Sequence, residues 1–181
     1  MKITLKTISL KGLGFGADKI VAQAMARGIS LAVIRHLRHK NAIARHSKGF
    51  PKSNYYARAA QAVTTAAAGS TARVQIEHEG LALHYYGGIV YPRRGKALAI
   101  PLDPAAAGMW PSERGGEMSL VWPRKKRSGL LIDEKTGAAI YRLVPRAPVK
   151  ADKGVLPPEP RLERAAAAAA EDCLAAERAE T

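Results

Sequence analysis

The sequence predicts an α+β fold: a mostly antiparallel sheet packed by a long N-terminal amphipathic helix and a second, shorter helix, with an extended C-terminal arm and a last helix. Three observations predict it. Apolar residues recur at helical spacing between Ala17 and Arg45 and again after Asn54. Short alternating or apolar runs bounded by Gly and Pro follow from Ala72 to Val144, the pattern of strands joined by turns. No regular strand-helix series, which a parallel sheet needs, is present. A chain of 181 residues suffices for one domain with appendages. Composition divides it into an α+β domain over 1–145 and a Pro-rich arm with an Ala-rich helix over 146–181.

In order, Met1 to Leu10 alternates Ile3 and Leu5 with Lys2, Thr4 and Lys6, as a half-buried strand does. Gly12 to Gly16 makes a glycine-rich turn before a helix over Ala17 to about Arg45. On that helix Val21, Met25, Ile29, Ala32, His36 and Ile43 share one side, while Arg27, Arg38 and Arg45 nearly superpose on the other with Arg35 close by. A break at Gly49 and Pro51 leads to a second helix, capped by Ser53 or Asn54 and ending near Gly69. Ala72 to Glu79 alternates again, with Val74, Ile76 and His78 on one side.

The stretch Gly80 to Pro101 then reads as two short strands around a glycine break and a protruding basic turn. Its candidate assembly residues are Tyr85, Tyr86, Arg93, Arg94 and Lys96. Asp103 to Gly116 is a Pro- and Gly-rich excursion carrying Trp110, and Met118 to Trp122 is a strand. Arg124, Lys125, Lys126 and Arg127 form the densest basic cluster, read as a solvated turn or a polyanion contact. Leu130 to Asp133 and Ala138 to Val144 form a hairpin through Glu134 to Gly137 with Arg142 on its solvent side. Five prolines between Pro145 and Pro160 make an arm leaving the sheet, and Pro160 begins an alanine-rich helix that packs on a neighbour or frays.

Charge narrows the partners. The chain holds 29 Lys and Arg against 15 Asp and Glu, a net +14, and residues 1–73 carry 13 of those cations against one acid, Asp18. A basic front favours polyanions or acidic protein surfaces. For the Arg27, Arg35, Arg38 and Arg45 face, solvation, nucleic acid and an acidic partner subunit all fit the spacing. Cys173 is the only cysteine, which excludes an intramolecular disulfide and a multi-cysteine metal site. Apolar runs are too short to cross a bilayer and the N-terminus lacks the apolar core of a signal peptide, so the expectation is cytoplasmic synthesis and no membrane partner.

The chemical motifs fail one by one. In the glycine-rich turn the third glycine comes one place early for a dinucleotide fingerprint, and no acid lies about twenty residues on. His78-Glu79 begins a zinc signature, but Ala82 stands where its second histidine belongs. His36 reads as a satisfied core histidine, and His39 and His46 lack partner ligands. His84 has no nucleophile or carboxylate that sequence can place beside it. No enzyme, no cofactor and no metal are expected.

The order of several motifs resembles a known family. These are Asn54-Tyr55-Tyr56-Ala57-Arg58-Ala59-Ala60, Leu83 to Pro92 with Gly87-Gly88, Lys96-Ala97-Leu98-Ala99-Ile100-Pro101, and Tyr141-Arg142-Leu143-Val144 followed by Lys150 to Pro157. Together, across residues 50–165, they resemble small morphogenesis proteins of tailed phages and Mu-like prophages. The wider class includes head-tail connection, tail-terminator and tail-completion subunits, often built into rings around the DNA channel. The resemblance implies a virion protein of the neck or tail. It would be a homo-oligomer, hexameric by expectation, touching neighbouring neck or tail proteins and making non-specific DNA contact in the channel. The alternative is a basic nucleic-acid-binding or DNA-packaging accessory protein.

Overall fold

The computed structural model describes residues 3–4, 8–9, 19–44, 49–68, 71–93, 95–122 and 128–179. The glycine-rich turn Gly12 to Gly16, Arg45, His46, Arg94 and the tetrad Arg124 to Arg127 lie outside them. The fold is α+β, with four helices and antiparallel sheets among the described residues. The chain forms two compact units: Met1–Ala44, Asn54–Tyr86 and Ala151–Thr181 make the first, and Arg45–Ser53 with Gly87–Lys150 make the second. This division cuts across the one read from composition.

In the first unit, β1 (Ile3–Thr4) and β2 (Ile8–Ser9) both pair with β4 (Thr71–Ile76), so the expected N-terminal strand is two short segments along one edge of β4. Helix α1 (Lys19–Ile43) buries Val21, Ala22, Met25, Ala26, Ile29, Ser30, Val33 and Leu37, a stripe at i, i+4, i+8 spacing. Ile43, expected on that side, is exposed, because the helix ends as its buried stripe leaves the core.

The second helix is shorter than the sequence reading. Helix α2 spans Tyr55–Gln61, and Val63–Ala68 forms strand β3, zipped to β4 from Val63↔Ile76 to Ala68↔Thr71. The β-branched Val63, Thr64 and Thr65 favour the extended form once a pairing strand is at hand. Asn54 does not cap α2 with its side chain: it sits in the left-handed region at φ 50°. The cap comes from α1 instead, where Asn41 Oδ1 accepts the Ala57 N–H at 3.3 Å.

The Pro-rich arm, expected to leave the sheet, begins with a paired strand. Ala147–Val149 is strand β10 of the second unit, paired with β5 (Gly88–Val90). Further on, Val155 and Leu156 are buried in the core of the first unit. Helix α4 (Glu159–Ala179) then lies on α1 of its own subunit, burying Ala166 and Ala170 in the same core. Closeness replaces bulk here: a Cβ on Gly28 would collide with the Ala165 carbonyl oxygen and stand 2.7 Å from Ala169 Cβ. Small side chains let the two backbones approach, so an alanine-rich helix that carries little apolar area still docks.

Gly80 to Pro101 is not a hairpin. Leu81–Tyr86 is helix α3, burying Leu81 and Ala82; a short apolar run reads equally as strand or buried helix until packing decides. In the second unit, β5 belongs to the ribbon with β10, whereas β6 (Leu98–Pro101) joins the sheet β6-β9-β8-β7, with β7 Met118–Val121, β8 Gly129–Asp133 and β9 Ala139–Val144. Arg93 to Lys96 therefore connects two sheets. The β8–β9 hairpin matches expectation: Asp133 Oδ1 accepts the Lys135 and Thr136 N–H groups at 3.0 Å, and Gly137 takes φ 68°. These bonds hold the Asp133 carboxyl below its ordinary range. The core of this unit is small: Ala106, Ile140 and Tyr141, with Ala99, Met118 and Leu131 against them.

Candidate functional site

Three surfaces carry the residues singled out by the sequence. The first is the outer face of α1. Its buried stripe fixes the rotation of the helix, and that rotation turns Arg27, Arg35 and Arg38 into solvent. Arg27 and Arg38, eleven residues apart, lie on one line along roughly 16 Å of axis. Ile20 and Leu31 are exposed beside them, 54% and 51%, so the face mixes apolar and cationic groups. Lys40 is drawn off this face: its Nζ pairs with Asp152 Oδ2 at 3.0 Å, and that hydrogen bond is the main reason the Asp152 carboxyl lies below its ordinary range.

The second is an aromatic and histidine cluster that sequence spacing leaves scattered. Tyr55 at the start of α2 meets Tyr56 edge-on at 5.3 Å, His78 edge-on at 4.7 Å and His84 at 4.9 Å between ring centres. Burial, with Tyr56 beside it, pushes the Tyr55 phenol up to about 12. Burial and then the Arg58 charge push His78 below its ordinary value, and its Nδ1 is enclosed without a hydrogen bond. His36 has a partner as expected, its Nε2 2.9 Å from the Gly154 carbonyl oxygen, but it is half-buried at the rim of the core and not inside it. The Asp152 N–H donates to the His84 carbonyl at 2.8 Å and the Asp152 side chain accepts from Gly154 N–H at 2.8 Å. That turn seats Lys153 Nζ 4.1 Å above the Tyr85 ring and 4.7 Å from Tyr86.

Sequence reading missed Lys153 and Asp152. The signal available was the Asp-x-Gly turn, but nothing in the chain order places it against Tyr85, 68 residues earlier (153 − 85). Tyr85 and Tyr86, expected on an assembly loop with Arg93, Arg94 and Lys96, end α3 in the first unit, and exposed Arg93 and Lys96 belong to the second. The cluster holds a phenol and an imidazole in their neutral forms. Among the described residues no group of three His, Cys, Asp or Glu could hold a metal ion.

The lowered value of His78 has a measurable consequence. Between the unfolded value near 6.5 and the lower folded one, the unfolded chain takes up a proton that the folded chain refuses. Stability is therefore full above about pH 6.5 and falls as pH drops through the folded value. Thermal unfolding of the first unit should move to lower temperature between pH 7.5 and 5. His78→Phe, which keeps a ring against Tyr55, should flatten that dependence; an unchanged slope would remove His78 as its source.

The third surface is the second unit. Ile89, Tyr91, Ile100, Leu102, Met109, Trp110, Leu120, Val121 and Trp122 are 40–65% exposed, nine of the thirteen large apolar side chains so exposed among the described residues. Across the sheet, register aligns Ile100, Arg142, Leu130 and Val121 on one face, with Arg142 outward as expected. The segment after β6 is held compact: Asp103 caps the 3₁₀ turn Pro104–Ala106 and pairs with Arg114 at 3.2 Å, presenting Trp110 at 65% exposure. Comparison with known protein families, with curated proteins and with solved structures finds no match to this chain.

Proposed function

We propose that this chain is a structural virion protein of the phage neck or tail, of tail-terminator or tail-completion type, that works by assembling into a ring at the head-tail interface and not by catalysis. The observation that carries the assembly part is the exposed apolar surface of the second unit. Nine large apolar side chains facing water within one small unit are what a protein-protein surface looks like before its partner arrives. The phage setting is supported by the motif order described above. A ring gives the basic face of α1 a role, because repeated subunits turn three outward arginines each into a cationic collar suited to DNA or to an acidic neighbouring ring.

Size-exclusion chromatography with light scattering tests this: the expected result is a closed assembly of several subunits, six by preference, and a monomer at micromolar concentration overturns it. The arginines themselves favour the second reading, a DNA-binding accessory protein acting as monomer or dimer. On either reading, replacing Arg27, Arg35 and Arg38 by Glu should weaken duplex DNA binding. It should also flatten its salt dependence by about 0.9 in log-log slope per lost phosphate contact. An unchanged slope removes DNA from this face and leaves an acidic protein as its partner.

A further inference from the structure

We propose that the outer edge of β7 pairs with the same edge of a second copy of this chain, antiparallel across a two-fold axis, to make one continuous sheet from two four-stranded ones. This rests on the self-assembly reading above but names only one contact in it: a two-fold contact alone closes a dimer, and a larger closed assembly needs a second contact between such dimers.

The hydrogen-bond register assigns the free groups. In an antiparallel pair, alternate residues turn both N–H and C=O toward one neighbour. The Glu134 N–H donates to the Glu117 carbonyl at 3.1 Å, and the register runs from Met118↔Asp133 to Val121↔Leu130. Glu117, Ser119 and Val121 therefore face β8, while Met118 and Leu120 direct their backbone groups outward, where no described backbone group meets them. Leu120 is 60% exposed and Trp122, two residues on, is 48% exposed. An open, apolar edge with intact donors is a template for another strand.

Three other edges are less suited. On β6, Leu102 N–H donates to the Ile140 carbonyl at 2.8 Å, so Ala99 and Pro101 face outward and Pro101 has no N–H to give. β10 carries Pro148, and β3 shows Thr64 and Thr65 in place of large apolar groups. A head-to-tail contact would set β7 against the proline-blunted β6, whereas a two-fold contact sets β7 against itself. Charge order favours the same choice. Glu113 and Glu117 precede the strand and Arg124 to Arg127 follow it in sequence. Glu117 already stands opposite Glu134 within its own sheet, and Ser119 Oγ donates to the Glu134 carboxylate, so two carboxylates meet at this end of the edge.

Light scattering of the full chain and of two variants tests the proposal. Leu120→Pro removes an outward N–H and none of the bonds to β8; Leu120→Lys puts a charge at the centre of the edge. The wild-type mass should be an even multiple of the chain mass, and both variants should fall to half of it or less with far-ultraviolet circular dichroism unchanged. Val121→Pro, whose N–H serves β8, should instead unfold the sheet. If Leu120→Pro misfolds, Leu120→Lys decides alone. A wild-type assembly that Leu120→Lys leaves at full mass, or one with an odd number of subunits closed by equivalent contacts, overturns the β7 edge and leaves assembly standing. A wild-type monomer overturns both.

Discussion

Replacing Gly28 by Val should separate α4 from α1 and cost the first unit about 3 kcal/mol or more, the range of severe overpacking and beyond. The reason is what surrounds the glycine. A Cβ there meets a backbone carbonyl, that of Ala165, and a methyl carbon, Ala169 Cβ at 2.7 Å. Neither is the end of a flexible side chain, so relief requires one helix to move. Moving α4 exposes Ala166 and Ala170 and pulls its own Leu162 and Leu174 off the same core. Hydrogen exchange should show lost protection across Glu159–Ala179 while β3 and β4 stay protected. Gly28→Ala should do the same to a smaller extent; a Gly28→Val protein with wild-type protection in α4 would refute the close approach.

Tyr141→Ala should unfold the second unit selectively. Tyr141 is fully buried at the centre of a core whose other fully buried members are Ala106 and Ile140, and its hydroxyl donates to the Met109 carbonyl at 3.3 Å. Loss of a buried aromatic costs about 3–5 kcal/mol, most of the stability of a small unit. Exchange should rise through β6, β7, β8 and β9 together, because they share this one cluster. Tyr141→Phe separates the two contributions: it keeps the ring and removes only the hydroxyl bond, worth about 1 kcal/mol. Should Tyr141→Ala leave the exchange of β8 and β9 unchanged, the core of this unit lies elsewhere.

The basic surface was legible because helix periodicity is a local property. The stripe from Val21 to Leu37 sets the rotation of α1, and Arg27, Arg35 and Arg38 must then face water whatever lies beneath. The β8–β9 turn was legible for a similar reason: Asp133 and Gly137 carry their own local chemistry. The aromatic cluster was not, because it needs α2, β4, α3 and the turn at Asp152 in one place.

Local pattern therefore settled the α+β class, the long helix, its basic face and most of the strands after Met118. Long-range packing settled where short, ambiguous segments went. Val63 to Ala68 became strand because β4 was there to pair with it, and Leu81 to Tyr86 became helix because Leu81 and Ala82 had a core to enter. Ala147 to Val149 found β5. The alanine-rich tail docked because Gly28 left room for a backbone. Apolar area and periodicity bias each segment by a fraction of a kcal/mol per residue; the partner that satisfies its hydrogen bonds and fills its contacts, often more than fifty residues away, makes the choice.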